Sequence, residues 1–381
     1  MEDSWKASSG VKLNYVDLAA KTELVATCHY WQRSPQKSRE SDEDSLKKSE
    51  SGTAAVRRGK RKQIIGADEA GYGPNLGPLL IAASVWDVPV DFNESDFDNL
   101  ISLFAAKPYR PDCKHIPLAD SKKLFSPAKG LQTLETGLLA MLGEKPPTDC
   151  QSWRENFEAG IAASGGEGLN ACEMPWYDNL RNQPIPAVQS KEEVRRLSEF
   201  AEQVLSDQGV ELPQTRFYLI SEKKFNEEVT KLGSKGQLLS LQTLRLVADL
   251  LSGGPDEIEI FCDRQGGRKN YMPVLSEAMP EQWFQEVRIS TERCTYRNML
   301  GNLTIHFSVG GDSFPPTALA SMMAKYTRER MMEAFNSYWA EQIPGIKATA
   351  GYPVDAARFR SEIESEAKEL QLSPESWWRM K

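Results

Sequence analysis

The chain has 381 residues with a formal net charge of -8, three histidines and six scattered cysteines. That length suggests two domains or one large domain with insertions, and the acidic balance excludes a histone-like coat of basic charge. With no C-x-x-C spacing among Cys28, Cys113, Cys150, Cys172, Cys262 and Cys294, and only His29, His115 and His306 as imidazoles, neither a structural zinc site nor a disulfide framework is expected.

Residues 31–63 are polar, mixed in charge and poor in large apolar groups. They predict a disordered N-terminal tail over 1–62, its basic run Arg57 to Lys62 reading as a solvated segment. The first strand is predicted at Gln63–Ala67 and delivers Asp68 and Glu69 into the turn Gly71-Tyr72-Gly73-Pro74-Asn75-Leu76-Gly77-Pro78. Two adjacent anions at the end of an apolar strand repel each other and lose water. A hard divalent cation taking carboxylate oxygens is the usual compensation. A second strand follows at Leu79–Trp86, the longest apolar stretch and far too short to span a membrane. Residues 1–20 carry no basic start followed by an apolar run, so a soluble, reduced, cytoplasmic protein is expected.

Asp120-Ser121-Lys122-Lys123-Leu124 opens a helical stretch predicted to run to about Leu142. Residues 144–190, with Pro-Pro, Ser-Gly-Gly-Glu-Gly and Asn-Gln-Pro-Ile-Pro, are expected to form part of an insertion rather than core. Strands at Arg216–Ser221 and Glu257–Cys262 bracket an amphipathic helix at Gln237–Leu251, and that alternation indicates an α/β layer. The second of these strands ends in Asp263. Further strands are predicted at Gln285–Ile289 and Leu303–Val309, the latter running into Gly310-Gly311-Asp312. A long helix over Thr317–Ala340 carries an apolar stripe, with Lys325, Arg328 and Arg330 expected on its other faces.

Asp68, Glu69, Asp263 and Asp312 thus stand at or near strand ends beside glycine in a chain nearly free of histidine. An aspartate after a strand ordinarily forms a turn or a cap, so no single one identifies a ligand. Together they suggest a pair of Mg²⁺ or Mn²⁺ ions of the kind that supports phosphodiester displacement. The spacing Gly71-x-Gly73-x-x-x-Gly77 does not make a dinucleotide fingerprint, because prolines interrupt it and a strand follows where a helix is required.

Asp68-Glu69-Ala70-Gly71-Tyr72-Gly73-Pro74 with Gly77-Pro78 resembles the opening motif of the type 2 ribonucleases H, the ribonuclease HII group. Asp120-Ser121-Lys122-Lys123-Leu124 is similar to that family's second motif. Gly311-Asp312-Ser313 with Ala318 to Arg330 is similar to its acid-then-helix signature, and Gly351-Tyr352-Pro353 to a stretch of its archaeal and eukaryotic branch. Trp378-Arg379 faintly echoes a terminal Trp-Arg. The resemblance implies a ribonuclease H-like α/β fold, a mixed sheet flanked by helices, over 63–381. Against that pattern, insertions fall at about 144–214 and 264–302, and a C-terminal helical segment at about 341–381.

It further implies a two-metal Mg²⁺ or Mn²⁺ site on Asp68, Glu69, Asp263 and Asp312, with Asp68 and Asp263 sharing the ions. The implied substrate is an RNA–DNA hybrid or duplex DNA containing ribonucleotides, as met in DNA replication and ribonucleotide excision repair. Gly71, Tyr72 and Gly73 would lie at the scissile ribose, Tyr352 would read the junction, and Lys122, Lys123, Lys325 and Arg328 would hold phosphates. The chain departs from the family at Tyr72, where the family has arginine. A structure-specific DNA nuclease and a catalytically silent nucleic-acid-binding relative are the alternatives.

Overall fold

The computed structural model describes residues 60–100, 104–111, 113–143, 174–251, 257–265 and 267–380. The expected tail lies outside these apart from Lys60, Arg61 and Lys62, as do residues 144–173 of the first expected insertion. Strand β1 (Arg61–Ala70) begins inside the run assigned to the tail. Arg61 and Lys62 are held there by ion pairs with Asp87 and Glu259.

In β1 the side chains of Ile64 and Ile65 enter two different hydrophobic cores, one on each side of the sheet. Such a strand is buried on both faces and reads as a continuous apolar run. With β2 (Leu79–Pro89), β5 (Gln214–Ile220), β6 (Ile258–Asp263), β7 (Phe284–Ile289), β8 (Arg293–Asn298) and β9 (Leu303–Ser308) it forms a seven-stranded sheet in the order β5-β2-β1-β6-β9-β8-β7. β1 is antiparallel to β2 and parallel to β6, and β6 is parallel to β9. The strands β3 (Phe104–Ala105) and β4 (Ile116–Pro117) form a separate short ladder. The mixed sheet flanked by helices is the α/β architecture the sequence predicts.

The predicted helix from Asp120 to Leu142 is two helices, α1 (Ser121–Leu124) and α2 (Gln132–Leu142). Pro127 and Gly130 fall between them, and Gly130 takes a left-handed φ of 68°, which ends helix propagation. Residues 174–190 correct the expectation that this stretch stays out of the core. Trp176 is fully buried, with its ring edge-on to Phe335 at 5.1 Å, and Ile185 joins the same cluster. Helix α3 (Lys191–Asp207) follows, capped by Ser190, and adds Val194, Leu197, Ala201 and Leu205 to that core.

The opposite core is covered by α4 (Glu222–Leu232), α5 (Lys235–Leu250) and α6 (Met272–Ala278), through residues such as Phe225, Leu238 and Leu275. The second expected insertion, 264–302, therefore supplies α6 and the two outer strands β7 and β8. Helix α7 (Pro315–Gln342) crosses the first face of the sheet, and α8 (Pro353–Glu369) follows it. Gly66 lets α7 approach: a Cβ there would stand 2.1 Å from the Pro316 carbonyl carbon. Ser84 Oγ donates to the Pro316 oxygen at 2.6 Å. The long helix is buried nearly all round, so Arg328 and Arg330 lie inside rather than on outward faces. Arg330 is paired with Glu333 at 2.5 Å. No helix among the described residues is long and apolar enough to cross a membrane.

Candidate active site

The register of parallel strands β1 and β6 last pairs Ala67 with Cys262. The next residue on each is an aspartate, so Asp68 and Asp263 sit side by side at the carboxyl ends of neighbouring strands, whose spacing is about 4.8 Å. Asp68 lies near Ser321 of α7, whose hydroxyl favours its charged form. Ser321 in turn meets Ser121 of α1 at 3.0 Å. Burial pushes the Asp68 pKa well above the carboxylate range; Glu69's charge adds to this, and Ser321 only partly opposes it. Glu69 is raised from 4.5 to about 7, by burial and then by the charge of Asp263, against the pull of Lys122.

Asp263 is raised by burial and by Asp312, while the amides of Gly311 and Arg264 hold it down. The Gly311 amide donates to Asp263 Oδ1 at 2.9 Å. That bond fixes the 3-10 turn Gly311–Ser313 against the end of β6 and brings Asp312 alongside. A side chain at 311 would press on the Cys262 oxygen at 3.2 Å. Lys122 reaches the same place from α1. Its ammonium stands 3.8 Å from Asp312 Oδ2 with the side chain 80% exposed. Burial lowers the Lys122 pKa, but Asp120, Asp68, Asp312 and Asp263 outweigh it and the net shift is upward.

These acids are coupled through space, all present oxygen, and three of them hold protons more tightly than free carboxylates do. This is the donor chemistry of a hard divalent cation. Among the described residues no group of three or more His, Cys, Asp or Glu is placed so that it could hold a metal ion.

The turn after β1 is built from contacts that only glycine allows. Gly71 has φ of 89°, and a Cβ there would lie 2.5 Å from the Pro78 oxygen and 2.6 Å from Arg328 Nε. Tyr72 lies under Lys235, whose ammonium is 4.9 Å from the ring centroid, and near Glu69 and Arg268. Tyr352, 54% exposed, stands at the N-terminus of α8 with its ring edge 4.0 Å from where a Gly73 side chain would begin.

Of the four cations assigned to phosphates, Lys122 and Lys123 are exposed. Lys325 is tied to Glu329 at 2.5 Å and lies over Phe125. Arg328, 1% exposed, points inward and donates to the carbonyls of Leu76 and Ala350 at 3.1 and 3.3 Å, so its guanidinium shapes the turn from beneath. Buried Glu222 faces Arg379 and Arg328 there. Sequence reading did not single out Ser321, Glu222, Lys235 or Arg268 for the site and took Arg379 only as a faint motif echo. Their partners are distant in sequence, and no local spacing marks them.

The fold and these strand ends define a mixed α/β protein with an acidic site at the carboxyl edge of its parallel strands, bordered by a glycine turn. Solved structures to which it is similar include ribonucleases HII, H2 and HIII. A chain of the PCNA–RNase HII complex from Archaeoglobus fulgidus shares 14% identity, with 84% of this chain and 94% of that chain covered and a TM-score of 0.36. Ribonuclease H2 from Pyrococcus horikoshii shares 16% identity over 83% and 92%, with a TM-score of 0.38. Bst-RNase HIII in complex with Mn²⁺ shares 16% over 88% and 72%, with a TM-score of 0.34. No protein-family model and no curated protein matches the chain.

Proposed function

We propose that the chain is a metal-dependent endonuclease that cleaves RNA in RNA–DNA hybrids or at ribonucleotides embedded in duplex DNA. What supports this reading is the register that puts Asp68 and Asp263 at neighbouring strand ends, with the charges of Glu69 and Asp312 acting on them. Like charges packed together after losing water are costly, and a site of this kind is explained by a cation that the folded chain is built to accept. Asp68, Glu69, Asp263 and Asp312 would hold Mg²⁺ or Mn²⁺; such ions, when bound, activate water and stabilise the attacking and leaving oxygens of a phosphodiester.

The chain's own groups do the rest. Ser321 lies beside the Asp68 carboxylate and favours its charged form. Lys122 sets a mobile positive charge at the rim of the acids, suited to a backbone phosphate. The amides of Tyr72 and Gly73 donate no hydrogen bond among the described residues and are free to meet a ribose, whose 2′-hydroxyl both donates and accepts and so separates RNA from DNA. Tyr352, exposed over Gly73, offers a ring for stacking on the sugar or base next to it.

A duplex carrying one ribonucleotide tests this. Incision in Mg²⁺ or Mn²⁺ that disappears in Asp68→Asn is expected, and an intact duplex under both ions refutes the proposal. An all-DNA duplex run beside it separates this reading from a structure-specific DNA nuclease, since Tyr72 alters the turn that would face the ribose. Calorimetric titration with the ions separates it from a silent binding protein.

A further inference from the structure

The C-terminal residues after α8 return across the molecule to the glycine turn. Asn226 on α4 holds them in place: its amide donates to the carbonyls of Glu375 and Trp378 at 3.1 and 2.9 Å, and its Oδ1 accepts from the Met380 amide at 2.7 Å. Trp377 is buried beside this clamp. The segment so fixed ends on Arg379, which is 1% exposed.

Among the described residues, every hydrogen bond of Arg379 goes to the turn. Its amide donates to the Asn75 oxygen at 2.8 Å, its carbonyl accepts from Asn75 Nδ2 at 3.0 Å, and its Nη2 donates to the Pro74 oxygen. Phe225 lies under the guanidinium at 4.7 Å. From the other side, Arg328 takes the Leu76 oxygen and the Gly351 carbonyl accepts from the amides of Asn75 and Leu76. The carbonyls of residues 74, 75 and 76 are therefore all committed, while the amides of Tyr72 and Gly73 donate no hydrogen bond among the described residues. Burying an arginine is costly unless its geometry is well matched. Here its hydrogen bonds go to two residues of one turn, Pro74 and Asn75, while its Nε and Nη1 find no hydrogen-bond partner among the described residues.

We propose that the C-terminal segment Ser373–Met380 is a strap and that Arg379 is the positioning residue through which it sets the height of the Gly71–Gly77 turn above the acids. The inference rests on the endonuclease reading for its purpose but not for its geometry. A turn misplaced by about 1 Å can cost about 10²-fold in rate without any change in what the acids themselves hold.

The full chain carrying Arg379→Met, and the same chain with Arg379→Lys, is compared with wild type in two measurements. In amide hydrogen exchange, Arg379→Met accelerates the peptide spanning Gly71–Gly77 by about tenfold or more, while β6 and α5 keep their protection. In cleavage of the single-ribonucleotide duplex with Mg²⁺, kcat falls by about 10²-fold with KM little changed, and Arg379→Lys restores part of kcat. Unchanged exchange in the turn overturns the strap, and so does acceleration spread equally over β6 and α5, which marks a purely global role. If Arg379→Met does not fold, Asn226→Ala releases the same segment without removing a buried charge. The expected result is faster exchange in the turn, and unchanged exchange overturns the proposal. Absence of cleavage by wild type overturns the endonuclease reading and the catalytic purpose of the strap, whereas the exchange result alone decides whether the strap holds the turn.

Discussion

Two clusters of buried charge flank the same glycine turn, and they are built on opposite rules. On the acid side, Asp68, Glu69 and Asp263 face one another and each is pushed toward its neutral form. Beneath the turn, Glu222 faces Arg379 and Arg328, and the guanidinium donors are placed on backbone carbonyls. Both clusters bear the cost of desolvation. In the second, charges of opposite sign lie near one another and the arginines fix a loop; in the first, like signs recover none of it. On the proposed function, the contrast separates charge that shapes the chain from charge that would hold a ligand.

Asp68→Asn bears on that contrast most heavily. If the acids wait for a cation, removing one should stabilise the metal-free protein, because a buried repulsion disappears. The same change should abolish cleavage: a metal site supplies several kcal/mol of transition-state stabilisation, which at 1.36 kcal/mol per decade is a loss of about 10³-fold or more. Thermal unfolding in chelator, run beside the cleavage assay, checks both halves. A variant that is both less stable and fully active would mean that the acids are structural.

Gly71→Ala comes next, because it damages the seam between the clusters. The φ of 89° disfavours any side chain, and the new Cβ would collide with the Pro78 oxygen and Arg328. Strain of this kind costs about 1–3 kcal/mol. Cleavage is expected to fall further than that loss of stability explains, and the two are separated by assaying well below the melting temperature.

Glu222→Gln sharpens the other cluster through pH. The folded carboxyl is raised from 4.5 to about 7 by burial, with Arg379 and Arg328 opposing. Between those values the unfolded chain has lost the proton that the native chain keeps. The stabilisation is therefore complete below about pH 4.5 and falls as pH rises through 7, by at most about 1.4 kcal/mol per unit. The difference between wild type and Glu222→Gln in melts from pH 5 to 8 isolates this group from the acids, and a constant difference across that range would count against it.

What the sequence made legible was local. The strand ending in Asp68 and Glu69, the turn glycines and the acid after Leu303–Val309 each carry a signal within a few neighbouring residues, and the α/β architecture follows from their alternation. Arg328 was misplaced because a cation on a helix reads as solvent-facing unless the carbonyls it meets are known, and those belong to Leu76 and Ala350. Residues 174–190 look like a loop by composition, yet Trp176 finds Phe335 and Trp339 from α7. Ser321 and Asn226 act only through partners brought near by the fold, and no spacing in the chain could have marked them.

Tyr72→Arg has the smallest expected effect and tests where the boundary between the clusters lies. Tyr72 has Glu69, Lys235 and Arg268 as its charged neighbours, and its ring adds no charge of its own. A guanidinium there would gain a fork for phosphate but would also meet the two neighbouring cations. The net result expected is duplex affinity a few-fold tighter, with the salt dependence of log K steeper by about 0.9 for the one added phosphate contact. Binding of an uncleaved duplex in Ca²⁺ across a salt series measures both. If affinity and salt slope stay as in wild type, position 72 does not face the nucleic-acid backbone, and the turn must be read as a scaffold for Tyr352 and Gly73 alone.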